Sequence, residues 1–268
     1  MKKKLITFSL LIVVLLSSPL FAHEFWLMPS TFRAKINEPV ALTFYVGESF
    51  MGEIWGKRQE RTSKLTDYIG KTVRNLTTLA IKPDSSDMQV AFDKEGTHLL
   101  TMESKNSFIG LEADKFNDYL KEDGLDNIYQ LRQSKGELNK PSKEFYRRCA
   151  KTLIQVGSKT GQTFKKNTGM PLEIIPLQNP YTLKNGSKLT IQVLFKDKPV
   201  IDGKLVTWFK NADTKTIKTD YRTDKNGKVT FDLDKKGYWM VSLVHMIALE
   251  NNTEADYQSY WGNLTFEF

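Results

Sequence analysis

The second half of the chain is a succession of short β-type runs, and that succession limits the fold more than any other feature. Leu172 to Ile175, Lys188 to Phe195, Lys204 to Lys210, Ile217 to Tyr221, Lys228 to Leu233, Gly237 to Leu249 and Tyr260 to Phe268 read as strands separated by breakers. Asn185-Gly186 and Asn226-Gly227 are tight-turn pairs, because both residue types tolerate the positive φ of a hairpin turn. Strands this short, at this spacing, predict an immunoglobulin-like or transthyretin-like β-sandwich over residues 170–268.

Residues 23–160 read as a second β-rich unit. Phe25 to Met28, Val40 to Val46, Leu76 to Ile81 and Thr97 to Glu103 have strand character, and residues 47–75, with Gly47, Gly52 and Gly56 and a strongly charged segment around Lys57 to Lys64, read as a long loop or lid. Between 112 and 156 the period becomes helical. Glu112 to Lys121 and Leu125 to Gln133 are split by Gly124, and Ser142 to Val156 is a third helical pattern, with Tyr146, Cys149, Leu153 and Ile154 on one face. Gly157 to Gly169 is the expected domain boundary. In the alternative, both strand groups form one continuous fold with the helices inserted.

Residues 1–22 have signal-peptide layout: a basic start at Lys2 to Lys4, an apolar core from Leu5 to Leu16, a break at Ser17-Ser18-Pro19, and Ala22 before the cut. The mature chain would start at His23 and be periplasmic or secreted. No later run approaches the roughly 18 apolar residues of a membrane-spanning helix, so no transmembrane segment is expected after cleavage. Part of the formal net charge of +8 comes from the leader lysines, and the remaining charges are well mixed, so nucleic acid is not an expected partner. The single cysteine, Cys149, cannot form an internal disulfide, and on an apolar face it is expected to be an inert buried thiol.

The chain has three histidines, at positions 23, 98 and 245. A histidine at a mature N-terminus can hold one metal through its α-amine and its Nδ1, and nitrogen-rich planar sites of that kind favour Cu(II) or Ni(II). His98 and His245 lie on expected strands, so only the fold could bring all three together. A histidine on an apolar strand face also has a plain structural reading, as a hydrogen-bonded core group. Met246 alternates to the opposite face from His245, and Tyr257, Tyr260 and Trp261 form an aromatic group beside the last strand. Nucleophile elbows, phosphate loops, dinucleotide motifs and zinc-protease helices are absent from the sequence.

Several blocks taken together resemble a known family. These are Ala22-His23-Glu24-Phe25-Trp26-Leu27, Phe116 to Leu120 with Gly124-Leu125, Tyr146 to Lys151, Gly169 to Pro180, Lys198-Pro199-Val200, and Val244-His245-Met246 with Tyr260 to Phe266. The chain is similar to a secreted bacterial family that carries a domain of unknown function and is commonly labelled a periplasmic component of cobalt or nickel uptake systems. The resemblance implies binding of nickel, cobalt or copper, with His23, His98 and His245 as metal ligands, and delivery to an inner-membrane metal transporter without turnover. Two other readings remain open at this stage: a copper-dependent oxidative enzyme using the terminal histidine chelate, and a metal-free adhesive or ligand-binding sandwich.

Overall fold

The computed structural model describes residues 24–81, 88–211 and 215–268, so the stretch expected to be a leader and His23 lie outside the described residues. In chain order the first half contains β1 (Glu24–Pro29), β2 (Arg33–Ala34), β3 (Val40–Glu48), β4 (Met51–Ile54), α1 (Arg58–Arg61), β5 (Thr62–Ile69), β6 (Thr72–Asn75), α2 (Thr77–Ala80), β7 (Met88–Val90), β8 (Gly96–Ser104) and β9 (Ser107–Leu111). Two longer helices follow, α3 (Ala113–Glu122) and α4 (Asp126–Ser134), and then the long strand β10 (Ser142–Val156). The second half contributes β11 (Leu172–Pro176), β12 (Ser187–Phe195), β13 (Lys198–Pro199), β14 (Lys204–Lys210), β15 (Ile217–Arg222), β16 (Lys228–Leu233), β17 (Tyr238–Ala248) and β18 (Tyr257–Glu267). The protein is mainly β, as its strand patterning predicts.

The strands form three stacked sheets. The central one runs β15-β14-β17-β18-β10-β8-β5-β6, with β2 and β9 also paired to β10. One outer layer is built on β1-β3-β4 with β7 on β3, and the other on β11-β12-β13 with β16 on β12. The central sheet joins the two halves of the chain, because β10 pairs in parallel with β18 from Glu144↔Tyr257 to Thr152↔Thr265. The loop expected as a boundary is present between β10 and β11, but the sheet runs across it, as in the continuous-fold alternative.

Burial on both faces explains why β10 is a strand and not the third helix that its spacing predicts. Cys149 and Leu153 point into one core, with Leu172, Ile191 and Leu264, while Ala150 and Ile154 point into the other, with Phe25, Leu42 and Leu100. A strand covered on both sides shows no polar alternation, so its apolar residues mimic helical spacing. Two further expectations are corrected. Leu76 to Ile81 contains the short helix α2, and the presumed loop at 47–75 contains β4, α1, β5 and β6. Asn226-Gly227 does form a turn, with Gly227 at φ 70°, but the flanking strands β15 and β16 belong to different sheets. It therefore marks a crossing between layers and not a hairpin.

The two helices expected at 112–121 and 125–133 are present. Phe116, Tyr119 and Leu120 line one face of α3, and with Leu125 and Ile128 they pack on Val244, Met246 and Tyr257 of the central sheet. Gly124, at φ 67°, ends α3 in a left-handed cap that presses against Lys204 and Arg222. The helical pair thus shares one face of the central sheet with the β1 layer. The seam between them holds the site described next. Among the described residues, no helix is long and apolar enough to cross a membrane.

Candidate functional site

Only two of the three histidines can be placed, and they do not converge. His98 on β8 is fully buried. Its Nδ1 meets Asp67 Oδ1 at 2.8 Å and its Nε2 meets the Lys94 carbonyl oxygen at 2.9 Å. Asp67 is in turn paired with Arg74 at 3.0 Å, and Phe92 lies against the imidazole at 4.6 Å between ring centroids. With both nitrogens in hydrogen bonds to oxygen, neither offers a lone pair to a metal, and His98 takes the structural reading.

His245 on β17 faces the opposite core. It stands 4.3 Å from the Phe195 ring and opposite Tyr260, and burial lowers its pKa from 6.5 to about 4. The pairings Ile154↔His98, Arg147↔Tyr260 and His245↔Tyr260 place the two histidines three strands and seven residues apart. At strand spacings of ~4.8 Å and rises of ~3.3 Å per residue, that is about 27 Å. One ion cannot touch both, so a shared three-histidine centre is ruled out by the register. Among the described residues, no group of three or more His, Cys, Asp or Glu side chains could hold a metal.

The polar chemistry gathers instead at the first residue of β1. Glu24 pairs with Gly47 across the outer sheet, and its Oε1 accepts a hydrogen bond of 2.8 Å from Ser242 Oγ on the central sheet. Ser242 Oγ also accepts from Trp208 Nε1 at 3.2 Å, so the contact holds Glu24 in one position. Burial pushes the Glu24 pKa from 4.5 to about 7, against the hydrogen bond from Ser242 and the positive charges of Lys218 and Arg148. Arg148 is itself lowered to about 10 by burial, and it lies over Phe25 at 5.1 Å.

Two further groups complete this seam. Asn263 on β18 is the register partner of Ser242 and lies on the same sheet face. It is 2% exposed, and among the described residues neither its Oδ1 nor its Nδ2 has a hydrogen-bond partner. Asp123 is the C-cap of α3, and its enclosed Oδ2 is likewise without a partner. Burial raises the Asp123 pKa well above 3.8, and the Glu24 charge raises it next. A carboxylate at a helix C-terminus also opposes the macrodipole.

Next to the seam, Glu144 accepts hydrogen bonds from Tyr119 Oη at 3.2 Å and from Ser259 Oγ. Tyr119 stacks on Trp261 with centroids 6.0 Å apart. The aromatic group at the end of the chain is therefore shared: Tyr257 and Trp261 pack beneath the helices, and Tyr260 packs in the opposite core. Cys149 is buried, and desolvation pushes its thiol up to about 12, which makes it inert. Asp123, Asn263 and Ser242 had no signal in the sequence, since each stands outside any motif and only the tertiary seam unites them.

Three layered sheets with a helical pair set into one face define a mainly β sandwich protein with a polar seam at the start of its first strand. The chain belongs to the family described as Domain of unknown function (DUF4198), whose model matches residues 20–247. No curated relative matches significantly. Among solved structures the chain is similar to the D0-D1 domain of Intimin, at 13% identity over 91% of this chain and 97% of that one, with a TM-score of 0.19.

Proposed function

We propose that the chain, once relieved of its leader, binds a divalent transition metal (nickel, cobalt or copper) through the α-amine and imidazole of His23, and carries it in support of uptake by an inner-membrane transporter. The observation that carries this reading is the fixed position of Glu24. His23 directly precedes it in the chain, so one covalent step separates the proposed ligand from a residue anchored by Ser242 beside Asp123 and Asn263. The enclosed Asp123 oxygen and the Asn263 amide are donor atoms of a kind that suits a cation site. The uptake role rests on the resemblance of the blocks from Ala22-His23-Glu24 to the last strand to proteins labelled for cobalt and nickel uptake.

In this reading His98 and His245 are no longer ligands. His98 ties the 94–98 turn to β5, and His245 fills the core beside Phe195. Binding needs the α-amine and the imidazole unprotonated. With ordinary values of about 7.7–8.0 and about 6.5, affinity falls steeply below about pH 6, which provides a route to release.

The test is competition titration of Ni(II), Co(II) and Cu(II) with the mature protein and with His23→Ala. We expect one tight site per chain in the mature protein and at least about a tenfold loss in the variant, with His98→Ala and His245→Ala close to the parent. Equal affinity with and without His23, or no stoichiometric binding, contradicts the reading.

A further inference from the structure

We infer that the recess under the β3–β4 turn is a binding site for a small aromatic carboxylate, held by its ring against aromatic walls and by its charge on Lys210. The recess lies between the Trp26 face of β1 and β3 and the ends of β14 and β17, and none of its residues is a proposed metal ligand. Its volume is about 240 Å³, and Trp26, Met28, Tyr45, Phe50, Lys210 and Tyr238 line it.

The walls suit a flat apolar group. Trp26 is 2% exposed and packs with Val206, Trp208 and Met240, which fix its indole from behind. Tyr45, its register partner, stacks on it with ring centroids 5.5 Å apart, and Phe50 meets it edge-on at 6.0 Å. Gly52 lets β4 lie close to the indole, since a Cβ there would come within 2.9 Å of Trp26 Cη2. The turn itself is the independent observation. Ser49-Phe50 joins β3 to β4 with both residues at φ 55°, where a two-residue hairpin favours Asn-Gly and a bulky side chain is an outlier. A turn selected for stability alone would not place Phe there; this one keeps a half-buried ring beside the recess. Neighbouring strands hold the strained turn in place: the Ser49 carbonyl accepts from Thr216 Oγ1 at 2.5 Å, and the Phe50 carbonyl accepts from Lys210 Nζ at 3.3 Å.

Lys210 supplies the charge. Its ammonium group has three donors, of which the Phe50 carbonyl takes one, and among the described residues it forms no ion pair. A second hollow, of about 550 Å³, opens beside the recess and shares Lys210 and Tyr238 with it. There Arg33 is taken by Glu267 at 3.7 Å, whereas Lys236 also has no carboxylate partner among the described residues. Two ammonium groups beside an aromatic recess select an anion. A sugar would lose hydrogen bonds to water that walls with so few polar groups do not replace. The volume admits a single ring with its acid group and little more.

The experiment titrates the full mature chain with benzoate, with benzyl alcohol as a ring without charge, and with acetate as charge without a ring. Amide chemical shifts of Gly52, Lys210 and Tyr238 report binding by nuclear magnetic resonance. We expect benzoate to bind with a Kd of about 1 mM or tighter, at least about tenfold tighter than benzyl alcohol, and acetate to leave the three amides in place. Lys210→Met keeps the aliphatic stem; it should abolish the advantage of benzoate and leave benzyl alcohol unchanged. Phe50→Gly should weaken benzoate about tenfold while the thermal midpoint holds or rises, because glycine adopts the positive φ without strain. Equal binding of benzoate and benzyl alcohol, a benzoate titration that moves none of the three amides, or benzoate affinity unchanged in both variants overturns the site. A Phe50→Gly midpoint well below the parent at unchanged benzoate affinity also overturns it, since the ring would then serve packing alone.

Discussion

Glu144 is a buried acid with no cation to balance it among the described residues, which makes it a sensitive probe of how the helical pair is docked. It is 2% exposed, accepts from the neutral donors Tyr119 and Ser259, and is pushed by burial from 4.5 to about 7. The folded chain therefore holds this proton to a higher pH than the unfolded chain does. Its contribution to stability is full below about pH 4.5 and is lost as pH rises through 7. At about 1.36 kcal/mol per unit of difference, the loss between pH 5 and pH 8 is about 2–3 kcal/mol, or roughly 5–10 °C in the melting temperature of a chain this size. Glu24, raised to about 7 by its own burial, adds to the same slope. Glu144→Gln keeps an acceptor for Tyr119 and Ser259 but carries no charge. Urea denaturation of parent and variant at pH 5 and pH 8 should give similar stabilities at pH 5 and a variant more stable by about 2–3 kcal/mol at pH 8. Parallel pH profiles would refute the assignment of a buried, uncompensated carboxyl.

Two further substitutions test other parts of the account. Lys151 and Glu173 form an ion pair between the central and outer sheets, with side chains 1% and 2% exposed, and Glu173 Oε1 also accepts from Thr168 N, Thr168 Oγ1 and Met170 N. Lys151→Met should cost about 3–5 kcal/mol by stranding the carboxylate, and Lys151→Met with Glu173→Gln should recover most of that, as read from a denaturation double-mutant cycle; a neutral single variant contradicts the pairing. His98→Ala should cost about 1–3 kcal/mol or more by leaving Asp67 and the Lys94 carbonyl unpaired, with metal affinity unchanged; a loss of affinity without loss of stability would return His98 to the ligand set.

What the residues disclosed, and what they hid, follows from burial. The α3 and α4 patterns were legible because each helix has one wet face, so Phe116, Tyr119 and Leu120 stand out at helical spacing. β10 was not legible as a strand, because Leu153 and Ile154 are both buried, on opposite faces, and the polar half of the alternation is missing. The sheet that joins the two halves was hidden for a related reason: the parallel pairing of β10 with β18 links residues more than a hundred positions apart, and no local turn announces it. The candidate site was half visible. The expectation for His23 came from the leader layout and lies outside the described residues, and Glu24 is its neighbour in sequence. Asp123 and Asn263 carry a signal only in retrospect, as an acid at the wrong end of a helix and an amide in an apolar strand. His98 was misleading because Asp67 and the Lys94 carbonyl, which occupy its nitrogens, are partners that only the fold supplies.

The most direct measurement is native mass spectrometry of the protein exported through its own leader, compared with a form carrying one extra glycine before His23, each offered Ni(II), Co(II) and Cu(II) together. The account predicts a mass starting at His23 that retains one metal ion, and loss of that ion when the glycine displaces the α-amine. A chain that begins elsewhere, or one that holds the metal equally well with the extra residue, contradicts the terminal site.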